Sequence, residues 1–162
     1  MRTDWIEHDK MKLVLSLLMP ANALAVETSL VTGLRITDVL SLNIVQLYRG
    51  QRMKVYEHKT GKYKTVRIPK KLYERLVAQA GVFWVFEGCK DPLKHRTRQA
   101  VWTDVKRAAK ALRVKECVAP HSARKIYAVQ VYKEKGLDAC KKALNHDSVN
   151  TTLIYLLSEL VK

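Results

Sequence analysis

Thr32-Gly33-Leu34-Arg35-Ile36-Thr37-Asp38 is the stretch on which the reading of the fold turns. Upstream of it, residues 9–19 and 21–32 carry apolar side chains at helical spacing. Pro20 opens the second of these helices and Gly33 stands directly after its end, the usual asymmetry of proline starts and glycine stops. Gly33 permits a tight turn, and Thr37 is expected to N-cap a short helix through Leu42 with Asp38 in its first turn. Arg35 is thereby held at the corner between two helices.

Downstream, the period of the pattern changes. Met53, Val55 and Tyr56 precede His58-Lys59-Thr60-Gly61-Lys62, and Tyr63, Thr65, Val66 and Ile68 follow before Pro69. Two β-rich runs around a glycine-containing turn predict a hairpin over Arg52 to Ile68. Helix returns over 70–80. Val82 to Phe86 is a short apolar run that reads equally as strand or buried loop. Residues 97–112 predict a basic amphipathic helix, with Val101, Trp102, Val105, Ala108, Ala109 and Leu112 as its core stripe. Pro120 precedes a helix over 121–135 that ends at Gly136. Two more are expected over Leu137 to Leu144 and Ser148 to Leu160, separated by Asn145-His146-Asp147. The fold class is therefore a mainly α domain with one small antiparallel β-sheet, an α+β arrangement. No repeat, low-complexity segment or flexible linker interrupts it, and residues 1–162 are read as one domain.

Charge narrows the partners. The 162 residues hold 30 Lys+Arg against 15 Asp+Glu, a net charge of +15. Residues 1–48 have four basic and five acidic residues, whereas 49–75 have ten and two, and 76–125 have eleven and four. A positive surface built from the middle of the chain suits a polyanion, either nucleic acid or an anionic membrane surface. Cys89, Cys117 and Cys140 are odd in number and show no C-x-x-C pair, which argues against a disulfide framework and a zinc knuckle. The apolar run Leu13 to Met19 is only seven residues long and ends at Pro20, far short of a membrane span. No membrane partner and a cytoplasmic location are expected.

Three segments offer the parts of a metal-free phosphoryl-transfer site: donors for the non-bridging oxygens, a nucleophile and an acid for the leaving group. The first is the Arg35 corner. In the second, Pro120-His121-Ser122-Ala123-Arg124, His121 and Arg124 stand three apart at a helix start and address one spot. The third is Leu144-Asn145-His146, with Tyr155 nine residues later. One unbroken helix would send His146 and Tyr155 to opposite sides, and the break near Asp147-Ser148 lets them converge. Asp38, Asp104, Asp138 and Asp147 are scattered, so no acidic cluster points to a divalent metal, and neither metal nor cofactor is expected.

In this order the segments resemble the tyrosine recombinase (phage integrase) family. T-G-L-R-I-T-D is similar to its first arginine box, Lys59 to its β-turn lysine, H-S-A-R to its H-x-x-R box, and L-N-H to its L-G-H box, with Tyr155 at the customary distance. The resemblance runs from about Trp5 to Tyr155. It implies a catalytic set of Arg35, Lys59, His121, Arg124, His146 and Tyr155. Tyr155 would attack the scissile phosphate to give a 3′-phosphotyrosine and a free 5′-hydroxyl. Arg35 and Arg124 would clamp the non-bridging oxygens, and Lys59 would protonate the leaving oxygen. His121 would assist proton transfer, and His146 would donate to the phosphate. Asp38 reads either as a first-turn helix acid or as the family's network-orienting acid. Lys62, Lys64, Arg96, Arg98, Lys106 and Arg107 are expected to touch the DNA backbone, and Trp102 to belong to the core. The resemblance further implies double-stranded DNA as partner, a tetramer on DNA from a free monomer, and the absence here of the family's N-terminal core-binding domain. A DNA-relaxing type IB topoisomerase and a non-catalytic DNA-binding regulator are the alternatives.

Overall fold

The computed structural model describes residues 3–145. Its elements run α1 (His8–Ser16), α2 (Pro20–Thr32), α3 (Ile36–Leu40), α4 (Ile44–Tyr48), β1 (Arg52–Glu57), β2 (Lys62–Arg67), α5 (Lys70–Gln79), α6 (Arg98–Ala111) and α7 (Pro120–Leu144). The mainly helical domain with one two-stranded antiparallel sheet agrees with the expectation from sequence. No helix among the described residues is long and apolar enough to cross a membrane.

The centre of the molecule is α2, which packs against α1, α3, α5 and α7. It is buried on most sides, with Leu24, Ala25, Val26 and Leu30 among its buried residues. Most of its buried polar side chains are satisfied locally, while Asn22 donates to Asp104 on α6 at 2.8 Å. Thr28 and Thr32 donate to the carbonyls four residues earlier, and Ser29 donates to the Leu34 carbonyl. The core continues through Met11, Val39, Leu40, Val55, Leu76, Phe86, Val101 and Val105, each at most 1% exposed. Full burial of each such side chain is worth about 1.5–3 kcal/mol.

Two glycines shape the backbone where the site is built. Gly33 ends α2 in the left-handed region at φ 67°, and a Cβ there would clash with the Tyr127 ring. Gly136 interrupts α7 with φ 80° and ψ −176°, as the sequence predicts. The two halves of α7 close on a small second core of Ala128, Val129, Cys140 and Leu144.

Other expectations need correction. Thr37 does not cap α3: Arg35 occupies the N-cap position in extended backbone, with no side-chain cap bond. The short helix α4 was not foreseen, although Asn43 and Gln46 form a reciprocal capping box at its start. Residues 82–86 are neither regular strand nor helix. A single bridge pairs Trp84 with Asn43, and Val85 and Phe86 are fully buried. Trp102 is only half-buried, unlike its stripe-mates Val101, Val105, Ala108 and Ala109.

Candidate active site

Three tight constraints place the two arginines. The Gly33 turn holds Arg35 at the α3 N-cap. Pro120 starts α7, and Ser122 fixes its first turn by accepting from the Ala119 N–H and donating to the Asp4 carbonyl. Arg124, one turn on, is only 1% exposed. Its guanidinium donates to the carbonyls of Gly33 and Leu144, the latter at 2.7 Å, so it ties the first arginine corner to the far end of α7.

Between the arginines stands a carboxylate that the sequence reading overlooked. Oε1 of Glu57 accepts from Nη1 of Arg35 at 3.0 Å and from Nη1 of Arg124 at 3.3 Å. Oε2 accepts from Nδ2 of Asn145 at 2.7 Å and from the Thr60 hydroxyl at 3.3 Å. The side chain is wholly buried. Burial pushes its pKa up, but the Asn145 hydrogen bond and the charges of Arg124, Arg35 and Lys64 outweigh this and hold it below the ordinary glutamate value. The signal was present in the hairpin's alternation. Met53, Val55 and Glu57 share one face of β1, and that face is buried.

The same register corrects the expectation for Lys64. It pairs with Val55, shares that strand face and is half-buried against the protein, not extended into solvent. Its ammonium donates to the Thr32 carbonyl at 2.8 Å and sits 5.4 Å from the centre of the Tyr127 ring. Burial, with Arg124 and Arg35 nearby, pushes Lys64 down to about 8 against the opposing pull of Glu57 and Asp38.

Above this buried layer lies an open cleft of about 370 Å³, lined by Arg35, Thr37, Lys59, Arg98, Trp102 and His121 among others. Arg35, Lys59 and His121 thus meet on one surface, with Arg124 behind them. Lys59 occupies the exposed hairpin turn. His121 keeps an exposed edge at the cleft, yet the protein packed around it and the cations Arg124, Lys125, Arg35 and Lys59 push its pKa down to about 4. Asp38 is fully buried beneath the hairpin turn. Its Oδ1 accepts from the His58 backbone N–H and lies 3.1 Å from the His58 ring nitrogen Nδ1. Asp38 therefore braces the turn that carries Lys59, in addition to lying in the first turn of α3.

The remaining cations divide by geometry. Arg98 reaches the cleft and Lys62 is exposed on the hairpin. Arg107 is instead engaged with Asp104 at 2.7 Å and with the Leu17 carbonyl, fastening α6 to the end of α1. Arg96 donates to Asn22 at 3.2 Å. Lys106 lies over the Trp102 ring at 5.7 Å and 3.2 Å from the Cys117 sulfur. His146 and Tyr155 lie outside the described residues. Asn145, the last residue described, has φ 56°. This left-handed corner at the end of α7 explains why asparagine stands where the family box carries glycine, since both tolerate that region.

Comparison with known proteins agrees with this architecture. The Phage integrase family matches residues 4–159. A search by sequence among curated proteins finds no match. Among solved structures, a lambda integrase fragment, as a dimer bound to a COC' core site, has a TM-score of 0.81 at 18% identity, covering 96% of this chain and 59% of that one. XerA recombinase has a TM-score of 0.74 at 19% identity, covering 96% and 60%. The catalytic domain of bacteriophage HP1 integrase has a TM-score of 0.73 at 17% identity, covering 98% and 90%. The chain thus spans about 60% of the length of XerA recombinase and nearly all of the HP1 catalytic domain. With the family match running over almost its entire length, and with the fold of these domains, the chain belongs to the phage integrase (tyrosine recombinase) family.

Proposed function

We propose that this chain cuts and rejoins double-stranded DNA at specific sites, through a covalent phosphotyrosine. The observation that carries the reading is the convergence of Arg35, Lys59 and His121 on one cleft, with Arg124 fixed behind Arg35, in a member of the phage integrase family. Guanidinium forks suit the non-bridging oxygens of a phosphate, whose negative charge grows in the transition state.

In the proposed reaction the Tyr155 oxygen attacks phosphorus and the bond to the 5′ oxygen breaks. Lys59 gives the leaving oxygen its proton. His121, with its pKa pushed down to about 4 in the free protein, takes the phenol proton once the negative charge of the bound phosphate offsets Arg124, Lys125, Arg35 and Lys59. His146 donates to the phosphate, and Arg35 and Arg124 hold its charge. Attack by a 5′-hydroxyl of another strand reverses the steps. The phosphodiester energy stays in the phosphotyrosine, so no ATP enters the scheme. Strand exchange further implies four protomers assembled on two duplexes, and solved relatives bound to DNA, among them XerH recombinase on a difH substrate, support DNA as the partner.

The test uses a pool of nicked duplexes of randomised sequence, in which a short cleaved strand diffuses away and traps the intermediate. Denaturing electrophoresis is expected to show protein-linked DNA that disappears in Tyr155→Phe, and sequencing of the trapped DNA gives the preferred site. Trapping with no sequence preference would favour the DNA-relaxing alternative. Binding without any trapping would favour the regulator.

A further inference from the structure

The buried carboxylate between the arginines has no place in the proton transfers above, yet four separate segments end on it. Arg35 comes from the α2–α3 corner, Arg124 from the first turns of α7, Thr60 from the hairpin turn and Asn145 from the end of α7. These segments carry the two phosphate-holding cations, the turn containing Lys59 and the chain that leads to His146 and Tyr155. We propose that Glu57 is the positioning residue of this active site, setting both arginines, the lysine turn and the exit of the nucleophile segment through one shared carboxylate. The inference rests on the recombinase reading of Arg35 and Arg124.

Electrostatics explains why an anion is needed there. Two guanidiniums on one oxygen repel each other, and in a poorly solvated interior that repulsion is weakly screened. Lys64 adds a third cation to the same layer. Glu57 offsets this excess from below, where it is wholly buried, while the cleft above stays open to a phosphate. Glu57 therefore orders the donors in advance of substrate, which is the condition for strong transition-state stabilisation. Neither Glu57 nor Arg124 is among the residues that line the cleft, so Glu57 meets the arginines from the protein side.

A neutral stand-in does not reproduce this arrangement. Glutamine at position 57 presents one acceptor oxygen and one NH₂. If the oxygen keeps the arginines, the NH₂ faces Asn145, whose amide must turn to offer Oδ1, and the negative charge shared by the two guanidiniums is lost. If it turns round, the NH₂ meets two cations.

The experiment compares wild type, Glu57→Gln and Arg35→Ala in the full chain, on the DNA recovered from the trapped pool. It measures affinity by fluorescence anisotropy and the single-turnover rate of covalent complex formation at saturating DNA. Glu57→Gln is expected to keep affinity within about threefold and to cut the rate by about 100-fold, the cost of a displacement near 1 Å at the reacting centre. Asn145→Gly removes one donor but keeps the left-handed corner, and is expected to slow the step by roughly tenfold at unchanged affinity, a partial displacement of the same kind. Thermal unfolding reports whether each variant is folded. Should Glu57→Gln fail to fold, Asn145→Gly decides. A wild-type rate in the deciding variant overturns the role of Glu57, and so does a loss confined to affinity. A faster rate overturns it as well, because the carboxylate would then be an inhibitor. If Arg35→Ala also cleaves at the wild-type rate, it is the recombinase reading of the site that fails.

Discussion

Lys64 carries its charge in a place where the strand pattern puts buried side chains, and stability must respond to pH accordingly. Its folded pKa, about 8, lies below its ordinary value of 10.5. Between those values the unfolded chain binds more protons than the folded one, so stability rises as pH is raised from 8 to 10.5. Below pH 8 the cost of burying the ammonium is fully present. Chemical denaturation across this window is expected to show the rise in wild type and a flatter profile in Lys64→Met. A profile unchanged by the substitution would mean that Lys64 is solvated. The convergence of single residues was legible in sequence where a motif carried them, as for Arg35, His121 and Arg124, which the fold brings together. Glu57 was not legible that way, because its partners stand 22, 67 and 88 residues away in sequence. What sequence did offer was a charged residue in the buried register of a strand, a conflict that an ion pair resolves.

Among the elements, the two glycine-bearing corners differ in what surrounds them. Both Gly33 and Gly136 have positive φ, but a Cβ at Gly33 meets the Tyr127 ring whereas nothing lies within 4 Å of one at Gly136. Gly136→Ala should therefore cost only backbone strain, about 1–3 kcal/mol. Gly33→Ala adds a steric clash to that strain, for a total of roughly 3–5 kcal/mol. Urea unfolding of the two variants checks the order, and equal losses would contradict the packing. Gly33→Ala should also lower cleavage more than stability alone explains, since the Gly33 carbonyl accepts from Arg124. The long helices, the hairpin and the break at Gly136 were all readable because local periodicity and turn chemistry determine them. The helix α4 was missed because five residues show too little periodicity, and its only signal was the Asn43–Gln46 cap. The 82–86 run stayed ambiguous because its conformation depends on Asn43 and Leu42, some forty residues earlier.

For the molecule as a whole, the net charge of +15 predicts DNA binding that weakens steeply with salt. Each phosphate contact contributes about −0.9 to the slope of log K against log salt concentration. The structure separates the cations that the sequence grouped together. Arg98→Ala, at the cleft, should reduce the magnitude of the slope by about 0.9. Arg107→Ala should leave the slope unchanged and lower stability instead, because its guanidinium is already held by Asp104 and the Leu17 carbonyl. Titrations at several salt concentrations distinguish the two, and a slope that responds equally to both would contradict this division.

Trp102 gives the molecule an optical reporter. Its indole forms part of the cleft wall beside Arg98 and His121, while the other two tryptophans, Trp5 and Trp84, are not among the residues lining that cleft. With Trp5→Phe and Trp84→Phe in place, emission from the single remaining indole would register a nucleotide entering the cleft, with no label attached. Arrival of the substrate, timed by stopped flow, is then separable from covalent bond formation, timed by quenching and denaturing electrophoresis.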